Sequence, residues 1–501
     1  MSAEARFALD ASRLPRPILG DHPEWVELHD FAWQVAARNV KQSRGRWHLD
    51  TAWCSGAEEA LNYQWVWDTC FSALYARYSG GALPSVESLD LFYEYQGDDG
   101  FISMTYDFTT GEEPYPGRIN PPLFAWVEWE YYASTGDSSR FANVVPTIER
   151  LMAWIQANRT SVATGSYGPN ASESDQETPL YWFADCGSSG MDDSPRTPRL
   201  AEAGRFYNWI DLSCQMALSF DRLARMHRVL GDESAAAHWH TRARRVGERI
   251  NAAMWSPRSR FYHDVGLPRR LVSTKTVAGF WPLLAGICPA ARIESLVEHL
   301  LDEREFNRPM PVPSLSADDP NYSEEGHYWV GGVWAPTNYM VTRGLALTGQ
   351  GDLAHSIASK YIHGLCRTWR EVEPHTLWES YAPEAHAPGL RPYDDSRVKP
   401  DFCGWSAIGP IAMLIENIIG IEAQLDADAI RWDIRLTEEH GVEQLWLGDT
   451  CLRLVAAKRA ASDSPVEIDA CSSRSVSLTL RCAGREQVCL LQPDTPVHLV
   501  I

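Results

Sequence analysis

The chain has 501 residues, 45% of them hydrophobic, enough to bury one large core and a smaller module. Its formal charge of −21, with no basic stretch interrupting the acidic balance, argues against a nucleic-acid partner. The opening MSAEARFALDASRLPRPILG has no apolar run of leader length, and no later stretch would span a bilayer, so a cytoplasmic protein without a membrane partner is expected.

Helical periodicity runs to about residue 422. Apolar spacing of i, i+3, i+4 predicts twelve helical segments, beginning near Trp25, Trp67, Leu83, Pro121, Ser138, Tyr207, Asp232, Lys275, Ala290, Trp334, Asp352 and Gly404. Three junctions share one chemistry: Ser134-Thr135-Gly136-Asp137, Leu230-Gly231-Asp232 and Thr348-Gly349-Gln350-Gly351-Asp352. In each, a glycine can end one helix in the left-handed conformation and an aspartate can cap the next. Such short connections join antiparallel helix neighbours. Long stretches rich in Gly, Pro, Ser and Asp occupy roughly 97–119, 159–206, 305–333 and 372–402, and loops of that length in a compact domain usually carry function. Short turns on one face and long loops on the other predict a mainly α fold, an (α/α)6 barrel over 1–422. After about residue 423 the period becomes two. Cys451-Leu452-Arg453-Leu454, Val466-Glu467-Ile468-Asp469 and Val476 to Arg481 alternate apolar and polar, predicting a small antiparallel, sandwich-like β-module of five or six strands over 423–501.

The 21 tryptophans and 19 tyrosines exceed what packing demands, and indole faces stack on the apolar face of a sugar ring. Two carboxylate segments fall in the long loops. Gly190 to Arg196 contains Asp192 and Asp193, whose mutual repulsion should push one carboxyl upward, as a general acid needs near neutrality. Asp-Asp-Ser-Pro is also ordinary loop composition. Thr376 to Tyr381 sets Glu379 between Trp378 and Tyr381, a glutamate either desolvated for function or at the rim of a core. Asp68, after Trp65 and Trp67, would serve as a helix N-cap or as a ligand for sugar hydroxyls. Trp329 and Trp334 flank a glycine-rich stretch, and Gly404-Trp405-Ser406 opens the last helix in similar style. The 11 cysteines are scattered and never in CxxC spacing, arguing against a zinc site or a disulfide framework. No P-loop, GxGxxG, HExxH or GxSxG motif stands in a fitting context, and no metal or organic cofactor is expected.

In this order the segments resemble glycoside hydrolase family 63 and its clan, over roughly residues 60–422. The resemblance rests on Trp67-Asp68-Thr69, Gln96 to Phe101, Asn120 to Leu123, the Asp192 segment, Thr276 to Leu283, Tyr328 to Tyr339, Trp378 to Tyr381 and Gly404 to Ser406. It implies an inverting α-glycosidase acting on a small α-glucoside or α-mannoside, in the manner of an α-glucosidase. Asp192 would be the general acid and Glu379 the general base that activates water. Trp67, Asp68, Gln96, Trp329, Trp334, Trp378, Tyr381 and Trp405 would bind the sugar. Three departures bear on the substrate. Val330 replaces the arginine of the usual Tyr-Trp-Arg-Gly, Ser188 stands where mannosyl- and glucosylglycerate hydrolases carry glutamate, and Ser380 replaces the usual asparagine.

Other classes make different demands. A phosphorylase or a sugar epimerase fits the same helical architecture. The first would use phosphate in place of water, and the second would need a histidine acid/base pair in an aromatic setting. A non-catalytic carbohydrate-binding protein would tolerate Asp192→Asn without consequence.

Overall fold

A computed structural model describes residues 8–41, 52–53, 63–107, 110–160, 178–196, 207–266, 270–402 and 404–501. Each of the twelve expected helical starts has a helical element beginning within three residues of it. Two of the twelve are short: Val86–Leu89 runs into Asp90–Glu94, and Val277–Phe280 into Trp281–Leu284. The others include Pro23–Arg38, Val66–Ala76, Phe124–Thr135, Phe141–Asn158, Ile210–Val229, Glu233–Ala253, Ala335–Leu347 and Gly351–Glu371, and the last, Ser406–Ile408, runs into a π-helix, Gly409–Ile419.

The turn chemistry acts as its residues dictate. Gly231 takes φ +80, open only to a residue without a Cβ penalty, and reverses the chain after Ile210–Val229. Asp232 then accepts the N–H of Ala235 at 2.9 Å and caps Glu233–Ala253, which packs on its predecessor. The other two junctions differ. Gly136 ends its helix at φ +74, but Asp137 accepts the Ser139 N–H at 2.9 Å ahead of Phe141–Asn158, whose N-cap is Arg140. Asp352 falls inside the first turn of Gly351–Glu371 and Gln350 is the N-cap, because the helix starts before the aspartate.

Six elements touch in sequence: Val66–Ala76, Phe124–Thr135, Ile210–Val229, Trp281–Leu284, Ala335–Leu347 and Ser406–Ile408, the last returning to the first. Pro23–Arg38, Phe141–Asn158, Glu233–Ala253 and Gly351–Glu371 lie against members of this ring. Within it a buried ionic network ties four helical elements together. Arg77 reaches Glu416 at 2.7 Å, Arg343 reaches Glu130 at 2.9 Å, and the Tyr339 and Tyr78 hydroxyls donate to Glu416 at 3.0 and 2.8 Å. Burial works against the Glu130 charge, yet Arg343 and Arg77 outweigh it and hold the carboxyl down at about 2. Replacing Glu416 by alanine leaves the buried Arg77 guanidinium with only the more distant Glu130, at 3.7 Å, as a counter-charge, which is expected to cost about 3 kcal/mol. A thermal or urea unfolding midpoint unchanged by that substitution would show that the network does not hold the ring.

The tail holds eight strands rather than five or six. Pro17–Leu19 from the N-terminus joins four of them in one sheet, pairing antiparallel with His440–Leu447, followed by Thr450–Ala456, Glu467–Ser472 and Val497–Val500. The second sheet orders Ile421–Gln424, Ala429–Asp433, Val476–Cys482 and Arg485–Leu491. All pairs are antiparallel except Ala429–Asp433 with Val476–Cys482, which is parallel. The module is fastened to the helices: Trp432 donates to the carbonyl of Ile419 at 2.9 Å, and Arg343 reaches Glu422 at 3.3 Å. Among the described residues no helix is long and apolar enough to cross a membrane.

Two of the long loops, 305–333 and 372–402, contain no regular strand and are knitted by single bridges, among them Pro313 with Val333, Val333 with Tyr381, His327 with Leu390 and Trp378 with Pro400. Of the expected loop 159–206, residues 161–177 and 197–206 lie outside the described residues, as do 108 and 109 of the loop 97–119.

Candidate active site

Glu379 stands in the loop after Gly351–Glu371, and its backbone is fixed from two sides. Its N–H donates to the Lys399 carbonyl at 3.0 Å, and its own carbonyl accepts the Trp405 indole N–H at 2.9 Å. Beside it, the Trp378 N–H donates to the Tyr381 hydroxyl at 3.1 Å and the Trp378 carbonyl accepts from Ser406 at 2.7 Å. Glu379 is 5% exposed. One carboxylate oxygen, Oε1, accepts the Tyr328 hydroxyl at 2.9 Å, and the other accepts the Lys399 backbone N–H at 3.3 Å. Burial raises its pKa, while the Lys399 charge and the two hydrogen bonds lower it, and the balance lies above the usual carboxylate value.

Tyr328 is held in a costly conformation for this purpose. Its φ is +43, a region a bulky side chain avoids. Its N–H donates to Leu390, its carbonyl accepts from the Gly332 N–H and from the Trp334 indole, and its ring meets Trp334 edge-on at 4.9 Å. Trp334 in turn stacks on Trp329 with centroids 4.1 Å apart and touches Trp405 at 5.6 Å.

The Asp192 loop approaches from the other half of the sequence. A tight turn, Gly187–Ser189, leads to Gly190 at φ +78, whose bare Cα lies on the face of Trp67: an added Cβ would sit 3.3 Å from the indole. Asn120 bridges the two, donating to the Ser188 carbonyl at 3.2 Å and accepting the Trp67 N–H at 3.5 Å. Arg196 anchors the far end of the loop by a buried pair with Asp211 at 2.7 Å and Asp264 at 3.1 Å. The decisive stitch is Asp193, which accepts the Trp329 N–H at 2.9 Å and so bolts the Asp192 loop to the residue next to Tyr328. Asp192 is exposed on one side while protein crowds the rest of its surroundings. That desolvation, the charge of Glu379 and then those of Asp193 and Asp185 push its carboxyl up to about 7, against a pull from Lys399. Repulsion from Asp193 acts in the expected direction, but desolvation and Glu379 matter more.

The structure thus gathers Asp192, Glu379, Trp67, Trp329, Trp334, Trp378, Tyr381 and Trp405 around two loops. Trp329 and Trp334 are buried, so in this arrangement they form the packed support beneath Tyr328. Asp68 is the third residue of Val66–Ala76 rather than its N-cap, and it is 7% exposed. Gln96 is committed elsewhere, its amide donating to the carbonyls of Gly100 and Thr147. Of the three departures, Ser188 is buried and donates to Asp185, and Ser380 packs against Gly389, where an added Cβ would come 2.7 Å from its oxygen. Val330 is half-buried, its N–H donating to the His327 carbonyl. Two residues that touch Glu379 were not singled out by the sequence. Tyr328 carried a signal, being next to Trp329 in a quoted segment. Lys399 carried none, since only the bridge between Trp378 and Pro400 brings it near.

Comparisons with known proteins bear on the fold and the family. An uncharacterized protein of Borreliella burgdorferi is 27% identical over 392 residues, covering 75% of this chain and 76% of that one. The mannosyl-oligosaccharide glucosidase of Saccharomyces cerevisiae is 23% identical over 263 residues, 48% of this chain and 29% of its own. The crystal structure of the family 63 mannosylglycerate hydrolase of Thermus thermophilus in complex with glucose shares the fold, with a TM-score of 0.60, 21% identity, and coverage of 77% of this chain and 100% of that one. The model of the mannosylglycerate hydrolase MGH1-like glycoside hydrolase domain matches residues 61–393, which include both carboxylates and most of the aromatic residues packed around them, and the chain belongs to that family.

Proposed function

We propose that this protein is an inverting α-glycosidase that hydrolyses a small α-glucoside or α-mannoside, with Asp192 as general acid and Glu379 as general base. The observation that carries the reading is the convergence of these two carboxylates from loops 187 positions apart, in environments that differ as the two roles require. Asp192, pushed up to about 7 and open to solvent, can hold a proton near neutrality and deliver it to a leaving oxygen. Glu379 is held by a hydroxyl, a backbone N–H and a nearby ammonium, all of which favour its ionised form and aim it as a base toward water. In an inverting reaction the acid protonates the glycosidic oxygen while the base takes a proton from water on the opposite face of the ring.

The helical ring supports reading the scaffold as an (α/α)6 barrel of residues 1–422 carrying a β-module of 423–501, with Pro17–Leu19 crossing into the module's sheet. The mannosylglycerate hydrolase and glucosidase relatives leave the sugar between mannose and glucose.

A screen of trehalose, kojibiose, nigerose, glucosylglycerate and mannosylglycerate tests the activity. Its kcat/KM is expected to be bell-shaped in pH. The acid must be protonated, so activity falls as pH rises through about 7. The base must be ionised, so activity also falls as pH drops through a Glu379 value above the ordinary carboxylate range. Because the charges interact, the two limbs belong to the pair. Turnover that depends on phosphate would contradict the proposal.

A further inference from the structure

We infer that the acid side of this site carries a built leaving-group subsite for a neutral hexopyranosyl unit, formed by Trp65, Tyr115, Arg118 and Asp185. The inference rests on the assignment of Asp192 as general acid, since a proton donor stands beside the oxygen that departs, and whatever borders it borders the leaving group.

The four residues come together from three places in the chain. Asp185 lies on the acid's own loop, with Gly187 between the two carboxylates: a Cβ there would be 3.5 Å from Asp185 Oδ1 and 3.9 Å from Asp192 Oδ1. The bare glycine keeps that approach clear. Asp185 is braced through Oδ1, which accepts the Ser188 N–H at 2.8 Å and its hydroxyl at 2.9 Å. This leaves Oδ2 for Arg118 at 2.9 Å. The pair is not sealed off, the side chains being 38% and 22% exposed. The Arg118 guanidinium stands 5.7 Å over the ring of Tyr115, itself 40% exposed, and Tyr115 lies 5.5 Å from Trp65.

An accessible aromatic pair beside an accessible guanidinium–carboxylate pair presents what a pyranose needs. The rings offer a face for its C–H surface, the guanidinium donates to hydroxyl oxygens, and the carboxylate accepts their protons. The charge of Arg118 is already balanced by Asp185. A leaving group bearing its own carboxylate would have to break that pair and face Asp185, whereas a neutral sugar uses the pair as it stands. Ser188 has a part here, because its hydroxyl fixes Asp185 where a glutamate at this position would set a second acid against it.

The test compares the parent protein with Tyr115→Ala and Arg118→Ala on three groups of substrate. These are α-linked glucosyl and mannosyl disaccharides, the α-glucosyl and α-mannosyl fluorides, and glucosylglycerate with mannosylglycerate. Fluoride leaves without occupying a sugar subsite. Each substitution is expected to lower kcat/KM for the best disaccharide by about 10–100-fold, with a far smaller effect on the fluoride. Equal losses on fluoride and disaccharide would overturn the subsite by showing general damage. So would a parent that prefers a glycerate-bearing substrate and loses that preference in Arg118→Ala. A parent that cleaves neither fluoride nor glycoside would instead remove the glycosidase reading on which the subsite stands.

Discussion

Asp192→Asn is expected to lower kcat on a sugar-linked α-glycoside by about 10²–10⁴-fold, the range for one positioned proton transfer. That loss equals about 2.7–5.4 kcal/mol of transition-state stabilisation. The amide keeps the size of the side chain and the turn after Gly190, so the fold should survive. The loss should depend on the leaving group. A sugar alkoxide needs the proton that Asp192 delivers, whereas fluoride departs with little help, so the α-glycosyl fluoride should retain most of its rate. The high-pH limb near 7 in the parent should vanish with the carboxyl that causes it. An Asp192→Asn protein with parental kcat on a disaccharide would end the assignment of the acid.

Glu379→Gln is expected to be as damaging, about 10²–10⁴-fold, but on the fluoride as well as on the disaccharide, because water must be activated whatever leaves. The contrast between the two variants separates the roles better than either loss alone. A supporting change is Lys399→Met. The Lys399 charge lowers the pKa of Glu379, so its removal should raise that pKa and move the low-pH limb of kcat/KM to higher pH. A low-pH limb that stays in place would show that Glu379 does not set it. Tyr328 and the backbone N–H of residue 399 would still hold the carboxylate in position, so kcat at the optimum should change much less than in Glu379→Gln.

The parts of the molecule written in local chemistry were readable. Helix starts followed from apolar periodicity, and Asp232 caps its helix as the Gly-Asp junction suggested. Asp352 does not, because nothing local fixed whether Gly351 belongs to the turn or to the helix. The alternating segments 451–454, 466–469 and 476–481 mark true strands. The count fell short because the edge strands Arg485–Leu491 and Val497–Val500 carry apolar residues, Val488, Leu490 and Val500, at exposed outward positions, so their sequences lack a clean apolar–polar alternation. Asp192 and Glu379 were identified from motifs, but the means of their convergence was not visible. The Asp193 bond to the Trp329 N–H, the Tyr328 hydroxyl on Glu379 and the return of Lys399 across a single bridge are all non-local. Each depends on how long loops lie against one another, which periodicity does not encode. Gln96 shows the converse: its side chain holds the Gly100 turn to the helix Phe141–Asn158, a sufficient structural reason for its presence in the Gln-Gly-Asp-Asp-Gly run.

The central claim is that water, activated by Glu379, attacks the face of the sugar opposite the oxygen protonated by Asp192. Proton NMR of the first product formed from an α-glycosyl fluoride or α-linked disaccharide, recorded before mutarotation, reads that stereochemistry directly. Initial appearance of the β-anomer is the predicted result. Initial appearance of the α-anomer would contradict it, requiring one of the two carboxylates to act as a nucleophile instead.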